Sequence, residues 1–254
     1  EKYEGEWEKA QRVDGPGTMS YLNGDRYCGY WVKEKHEGDG KMRFRNGDQF
    51  EGAWVAGAMN GKGSLRYANG DTFQGNFVEN AREEEGEGVM KYKNGDLYRG
   101  QWSACVVSGT GTMSYRNGDV YTGHWCKNKR EGEGEMTFSD GTRYTGGWRR
   151  GRKEGEGSMY TPSDNYTVSG QFVNDLLCGG ARSIVYPNGD IFKGKCDRNN
   201  RRIDGVGSMV FSTGDKYVSL CLSLLLLLLL LLSRSPYSPF AFNSNTLCLT
   251  PPPP

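Results

Sequence analysis

Apolar and polar residues alternate along most of the chain, and the alternation restarts roughly every 23 to 25 residues around one motif. Its clearest copy runs from Met42 to Trp54, with alternating stretches on either side of an Asn-Gly-Asp turn. Such alternation predicts β-strands with one buried face, and the Asn-Gly pair predicts a hairpin between them. The short period indicates a repeat architecture, in which each unit buries its apolar face only against its neighbours.

The motif recurs along almost the whole chain. All six tryptophans stand two residues after a glycine of the motif. Further copies lie at Met19–Trp31, Leu65–Phe77, Met90–Trp102, Met113–Trp125 and Met136–Trp148, with less regular ones at Met159–Phe172 and Ile184–Cys196, a truncated one at Met209–Tyr217 and a half copy at Tyr3–Trp7. We therefore predict one array over residues 1–218, with about eight to nine copies that degenerate after residue 160.

Whether the hairpin turn has an even or an odd number of residues decides which side chains share a face of the sheet. A two-residue Asn46-Gly47 turn would put Phe44 and Phe50 on opposite faces, whereas a three-residue turn with Gly47 in the left-handed region puts them on one face. We expect the three-residue turn. The second connection, residues 32–37, is expected to be a polar loop that pairs Trp31 with Gly38, after which the next turn pairs Gly38 with Trp54.

The predicted fold is all-β: an elongated, single-sheet antiparallel meander of tandem β-hairpins. Its aromatic residues share one face, on which glycines leave room for the large rings, and each Trp is expected opposite a glycine. The other face carries charged residues such as Lys41 and Glu51 and is solvated. Arg182 stands where a motif glycine is expected, so the pattern is in doubt there.

Residues 219–254 have a different composition. Nine leucines, Leu224 to Leu232, are followed by a Ser-, Pro- and Phe-rich segment that ends in four prolines. The apolar run is shorter than the ~20 residues that span a membrane. Two interpretations stay open: sequence translated from an intron or untranslated region, and a genuine hydrophobic anchor. The Pro-rich end is expected to be disordered in both cases.

Composition narrows the functional classes. Lys and Arg total 32 against 31 Asp and Glu, and the net charge of +1 gives no global attraction to nucleic acid. Seven cysteines without CxxC spacing favour reduced thiols in the cytoplasm. No nucleophile–base pair or phosphate-binding loop appears, so we expect a protein that is not an enzyme and needs no cofactor or metal. The opening half copy suggests a fragment.

Tyr-x-Gly-x-Trp, followed by Gly-x-Gly-x-Met-x-Tyr and Asn-Gly-Asp, resembles the MORN (membrane occupation and recognition nexus) repeat over nearly all of residues 1–218. The resemblance implies stacked β-hairpins in a groove-bearing sheet. It also implies roles in scaffolding, dimerisation, ciliary or cytoskeletal assembly, and phospholipid contact. Some relatives attach such arrays to a phosphatidylinositol phosphate kinase or a methyltransferase domain, neither of which is visible in this sequence.

The aromatic face is the first candidate site. It either packs only against itself or forms a groove for a helix or a second array. Its members are Tyr27, Trp31, Phe50, Trp54, Phe73, Phe77, Tyr98, Trp102, Tyr121, Trp125, Tyr144 and Trp148.

A basic cluster on two neighbouring loops is the second candidate, for an anionic lipid headgroup or an acidic protein segment. Its members are Lys127, Lys129, Arg130, Arg149, Arg150, Arg152 and Lys153. The alternative is a solvated edge, where Glu131 and Glu154 dilute the positive charge. An acidic loop, residues 83–85, is expected to oppose lipid contact or to pair with the basic loops of a second copy.

The turn aspartates Asp25, Asp48, Asp71, Asp96 and Asp119 recur too regularly for a metal site, and we expect them to cap turn backbone. His124 and Cys126 supply too few ligands for zinc. The leading hypothesis is a cytoplasmic scaffold that binds proteins or a second copy of itself, with cytoskeletal or membrane association. The alternatives are a peripheral adaptor on anionic phospholipids and the regulatory region of a lipid kinase whose catalytic domain is absent.

Overall fold

The computed structural model describes residues 1–9, 11–83, 85–196 and 202–219. The tail predicted for residues 219–254 therefore lies outside the described residues apart from Ser219, the last residue of the last strand. The described part of the chain holds strands and turns only. The strands are β1 Lys2–Glu8, β2 Gln11–Ser20, β3 Arg26–Val32, β4 Lys35–Arg43, β5 Gln49–Val55, β6 Ala58–Arg66, β7 Thr72–Val78, β8 Ala81–Arg82, β9 Glu85–Lys91, β10 Leu97–Ser103, β11 Val106–Ser114, β12 Val120–Cys126, β13 Lys129–Thr137, β14 Arg143–Arg149, β15 Arg152–Thr161, β16 Tyr166–Val173, β17 Leu176–Val185, β18 Ile191–Cys196, β19 Arg202–Val210 and β20 Lys216–Ser219.

These strands form one antiparallel meander, as predicted. Each strand pairs with the next along the chain, except that the short β8 extends the pairing of β7 before β9 resumes it. Within the described residues the first and last strands pair on one side only, so the sheet is open. At ~4.8 Å between strands, the 20 strands span roughly 90 Å before twist shortens the sheet.

The Asn-Gly hairpin has the predicted three-residue turn. Phe44 N donates to Asp48 O at 2.9 Å, and Gly47 N donates to Phe44 O at 2.9 Å. Gly47 has φ +95°, a left-handed conformation that costs a glycine little. Met42 therefore pairs with Phe50, and Gly38 with Trp54, as expected.

The second connection differs from the predicted six-residue loop. It is a two-residue turn, Lys33-Glu34, with φ values of +46° and +66°. Such a turn matches the twist of the strands, although the sequence lacks the Asn-Gly signal for it. Beyond it Trp31 pairs with His36, not Gly38, because a bulge shifts the register after Gly29.

The same bulge recurs in the next repeat and separates the roles of the two glycines in Gly-x-Gly. Gly61 has φ +92°, and its Cβ would approach only Ala53 closely, at 3.4 Å, so this glycine serves the backbone. At Gly63 a Cβ would come within 2.5 Å of the Phe50 ring. The prediction that glycines make room for aromatic rings is confirmed, but the ring over this glycine is Phe50, and the prediction that Gly61 faces Trp54 is wrong.

In the less regular repeats, two positions that lie close together in the sheet differ from the motif together, and the fold is retained. Val168 stands where earlier repeats carry Tyr or Phe, pairing with Met159 on one side and Ile184 on the other. Arg182 stands where they carry the glycine beneath that ring, and it is buried. Because valine has no ring to occupy the space, a side chain fits at position 182.

Candidate functional site

The aromatic face forms the core of the single sheet. Each Trp from Trp31 to Trp148 packs edge-on between two neighbouring rings: Trp54 lies 5.2 Å from Tyr27 and 5.4 Å from Phe50, centroid to centroid. Edge-to-face packing at such distances is favourable because ring edges and faces carry opposite partial charges. All twelve residues predicted to line a groove are buried, with exposed fractions of 0–6 %. They pack against one another, so these ring faces are not an open surface.

Polar atoms of these rings bond to the backbone. Trp31 Nε1 donates to Gly17 O at 3.2 Å, and Tyr27 Oη donates to Tyr30 O, beside the bulge, at 3.1 Å. Burial raises the pKa of Tyr98 and of Tyr144 to about 12. These hydroxyls stay protonated at neutral pH and act as hydrogen-bond donors in the repeats that carry Tyr at this position.

A second row of aromatic residues lies at the Asn-Gly turns, on the same face. These side chains pack against the core yet remain partly exposed, one in each repeat. Successive members are two strand spacings apart, about 10 Å. We call this set the turn row: Tyr21, Phe44, Tyr67, Tyr92, Tyr115 and Phe138.

A row of side chains, four of them cationic, lies over the buried rings, and the sequence interpretation missed it. In each repeat the residue five positions after the Trp or Phe pairs with that aromatic across the strands. The Arg130 guanidinium lies 4.3 Å from the Trp148 ring centre, and Lys153 Nζ lies 5.2 Å from that of Tyr144. We call this set the stripe: Arg12, His36, Met59, Arg82, Val107, Arg130, Lys153 and Leu177. The sequence signal that could have revealed the stripe is its constant position five residues after each Trp or Phe.

His36 takes the stripe position in its repeat without a charge. Its ring stacks on Tyr27 with centroids 3.7 Å apart, and its Nε2 shares a 2.8 Å hydrogen bond with Tyr21 Oη. Burial lowers the pKa of His36 to about 4, so the imidazole is neutral near pH 7.

The predicted basic cluster divides into two groups. Lys127 and Arg150 lie in two-residue turns, and Lys129, Arg149 and Arg152 lie at adjacent strand ends; all five are exposed. Arg130 and Lys153 are not loop residues: they belong to the stripe and are half-buried. Burial lowers the pKa of Lys153, and the nearby charge of Arg130 lowers it further, while Asp175 opposes both effects.

The two glutamates beside the basic cluster have structural partners. Glu131 Oε2 accepts from Arg150 N at 2.8 Å, and Glu154 Oε2 accepts from Asn174 N at 3.0 Å. Each carboxylate thus connects the repeat that contains it to the two-residue turn of the following repeat.

The turn aspartates cap backbone, as predicted, and also connect the repeats. Asp48 Oδ1 accepts from Ala68 N of the following turn at 2.7 Å, while Oδ2 accepts from Asn46 Nδ2 at 2.8 Å. The ladder is interrupted at Thr142, which has no carboxylate, and Pro162, which lies next to the turn glycine Gly141, has no N–H to donate. The missing acceptor at position 142 thus coincides with the missing donor at position 162. The ladder resumes at Asp190, whose Oδ1 accepts from Ser212 N at 2.9 Å.

An open cleft of about 550 Å³ adjoins the turn row and the stripe. Tyr115, Arg130 and Met136 contribute to its walls, together with the turn residues Asp96, Arg116, Asn117 and Asp119. The space beside Arg130 is therefore accessible to a ligand side chain.

Neither a cluster of metal-binding side chains nor a membrane-spanning helix is present in the described residues. No group of three or more His, Cys, Asp or Glu side chains gathers there at metal-binding distance. His124 and Cys126 are exposed on β12, on the face opposite Trp125. No helix of suitable length and hydrophobicity to cross a bilayer occurs in that part of the chain.

The solved structures that resemble this chain at low identity include two TCP domains. One is the TCP10 domain of Danio rerio CPAP in complex with a peptide of Danio rerio STIL, with 15% identity, a TM-score of 0.46, and coverage of 86% of this chain and 93% of that one. The other is the TCP domain of SAS-4 (dCPAP) in complex with a Proline Rich Motif of Ana2 (dSTIL) of Drosophila melanogaster, with 13% identity, a TM-score of 0.33, and coverage of 80% and 88%. These scores support no conclusion about this chain.

Among curated proteins, none matches the sequence. The profile of the MORN repeat matches seven consecutive segments: residues 3–26, 27–49, 50–72, 73–97, 98–120, 121–143 and 144–166. These segments form the regular part of the sheet and contain the turn row and most of the stripe. Since they cover more than half of its length, the chain belongs to the MORN repeat family.

Proposed function

We propose that this chain is a non-enzymatic protein-interaction scaffold whose partner lies along the turn row. The observation that carries the proposal is the row itself, with one partly exposed aromatic side chain in each of six successive repeats. Tyrosines suit interfaces because each combines a large apolar area with a hydroxyl that forms hydrogen bonds. The proposed place of action is the cytoplasm, with cytoskeletal or membrane attachment supplied by the partner.

The turn row replaces the twelve predicted groove residues as the proposed contact surface. Those residues are buried within the chain and would have to unpack before a partner reached them. The turn row rests on them, so its rings are held in place before binding. A partner then loses less entropy in ordering the surface it contacts.

Site-specific photo-crosslinking in cells tests the proposal. The full chain carries a benzoylphenylalanine at Tyr92 or at Tyr115, and the matched controls carry it at Arg99 or Thr122, exposed on the opposite face. We expect one partner, another protein or a second copy of this chain, to crosslink from the turn row and not from the controls. Equal crosslinking from both faces, or from the controls alone, would contradict the proposal.

A second candidate function is peripheral binding to anionic phospholipid. It is favoured by the five exposed cations at neighbouring turns and strand ends, Lys127, Lys129, Arg149, Arg150 and Arg152. Each cation near a charged surface contributes about 1 kcal/mol, and salt weakens that contribution.

Vesicle sedimentation tests this second function. Replacing Lys127, Lys129, Arg149 and Arg150 by Ser should abolish salt-sensitive sedimentation with phosphatidylserine vesicles and leave the melting temperature unchanged. If the unaltered chain does not sediment at low salt, this function is excluded.

A further inference from the structure

In the first repeat, a carboxylate of this chain binds the cation of the stripe. The Arg12 guanidinium lies 5.1 Å from the ring centre of Tyr3 and 5.2 Å from that of Trp31, and it forms an ion pair with Glu34. Glu34 is the second residue of the two-residue turn in the next repeat. This repeat therefore shows that a carboxylate can reach a stripe guanidinium while aromatic rings hold it.

Two later repeats carry the guanidinium without that carboxylate. Cys105 and Gly151 occupy the turn position of Glu34 relative to Arg82 and Arg130. Arg82 Nη2 donates instead to Cys105 O at 3.1 Å, and Arg130 Nη2 donates to Gly151 O at 2.6 Å. Among the described residues, neither arginine forms an ion pair, and Arg82 Nη1 is buried without a hydrogen-bond partner.

These arginines are poised for an anion. Partial burial of a cation without a counterion costs free energy, which the rings beneath it offset only in part. Arg82 lies 4.9 Å from the Phe73 ring centre and 5.2 Å from that of Trp102. At Arg12, Glu34 pairs with Nη2 while Nη1 stays buried without a hydrogen-bond partner. A carboxylate in the same position at Arg82 would add a charge-assisted hydrogen bond at Nη2.

We propose that Arg82 and Arg130 are carboxylate-binding subsites for acidic side chains of the partner segment, an inference that rests on the proposed protein-binding function. They lie four strand spacings apart, about 20 Å. Val107 holds the stripe position between them and is buried and apolar. The matching segment thus carries two acidic residues about 20 Å apart with an apolar region between them.

The position of these arginines favours an acidic polypeptide over a lipid surface. Both are half-buried beside the turn row: the charge of Arg82 acts on Tyr67 and Tyr92, and that of Arg130 on Tyr115. A single Asp or Glu side chain can enter between those rings. A flat membrane surface would instead meet the exposed cations of the basic cluster.

Position 105 allows a matched test, because Cys105 is exposed and already has φ +62°, close to the +66° of Glu34. The probe is a fluorescein-labelled peptide of twelve glutamates, which is long enough when extended to span both subsites. Its affinity for the full chain at low salt is measured by fluorescence anisotropy.

We expect Cys105→Glu to supply an internal carboxylate to Arg82 and to weaken probe binding at least fivefold. Cys105→Gln introduces a neutral side chain of the same shape as glutamate and should change the affinity for the probe less than twofold. Arg82→Gln should weaken binding as much as Cys105→Glu does, and melting curves check that each variant is folded.

Three results would overturn the inference. The first two are no probe binding by the unaltered chain, and equal effects of Cys105→Glu and Cys105→Gln. The third is that the chain binds phosphatidylserine vesicles and not the peptide, and that Cys105→Glu weakens this vesicle binding to the same extent. Crosslinking from Tyr92 that persists in any of these cases would leave the scaffold function standing. Loss of turn-row crosslinking alongside intact, Cys105→Glu-sensitive probe binding would contradict the scaffold instead.

Discussion

The phenol ring of Tyr27 fills the space above Gly40, which pairs with Gly29 on the neighbouring strand. A Cβ at Gly40 would lie 2.6 Å from two carbons of that ring, well inside van der Waals contact. The ring cannot move away freely, since Trp31, His36 and Trp54 pack around it. Glycine at this position is thus required by the neighbouring aromatic side chain.

Replacing Gly40 by Ala should therefore lower the free energy of unfolding by about 2 kcal/mol, the usual cost of overpacking. The control is Tyr27→Val, which removes the ring and imitates Val168. In that background Gly40→Ala should cost less than 1 kcal/mol. Urea denaturation of all four variants measures the coupling, and additive costs would show that the ring is not the cause.

The reverse exchange is expected at the irregular repeat. Val168→Tyr introduces a ring where Arg182 now takes the space, and it should destabilise the chain by about 1–3 kcal/mol. Combined with Arg182→Gly, it should cost less than the sum of the two single changes. The melting temperatures of the single and double variants decide this; no coupling would mean that the two positions do not share the space.

The aspartate ladder should stabilise the sheet repeat by repeat. Asp71 Oδ1 accepts from Lys93 N at 2.8 Å and Oδ2 accepts from Asn69 Nδ2 at 2.8 Å. Asp71→Ala removes both bonds and should cost about 1–2 kcal/mol.

Thr142→Ala is the matched control for the ladder, because Thr142 has no carboxylate to offer the next turn. It should cost less than 0.5 kcal/mol, the usual range for surface changes. Hydrogen exchange should also quicken at Lys93 N in the Asp71 variant. Unchanged exchange at that amide would show that the inter-repeat bond contributes little.

Stability should depend on pH through His36. Its pKa lies near 4 in the folded chain and at 6.5 in a model peptide, so between these values the unfolded chain binds a proton that the folded chain does not. Stability is therefore lost as the pH falls from 6.5 towards 4, by about 3 kcal/mol.

Comparison with His36→Met isolates that loss, since Met59 fills the equivalent stripe position. The difference in unfolding free energy between the unaltered chain and this variant should change with pH across that window. His124→Gln, at an exposed site, is the matched control variant. A flat difference for His36→Met would contradict the neutral buried imidazole.

The sequence alone determined the repeat, the antiparallel meander, the three-residue turn and the face on which Tyr27, Phe50 and Trp54 lie. Each follows from local rules. Side chains alternate between the two faces of a strand, and Gly47 permits the left-handed conformation that a turn with an odd number of residues requires. Repetition strengthened these inferences, because a pattern that is ambiguous once was present many times.

The tertiary structure alone decided the turn at Lys33-Glu34, the bulge after Gly29 and the stripe. Lys and Glu have no intrinsic preference for positive φ, so the turn depends on bonds to other repeats, such as the one that Lys33 N donates to Asp14 Oδ1 at 2.7 Å. The bulge shifts the register, and with it Arg130 moves from a predicted loop to the ring of Trp148. Whether a cation meets solvent or an aromatic ring depends on that register, which local sequence does not specify.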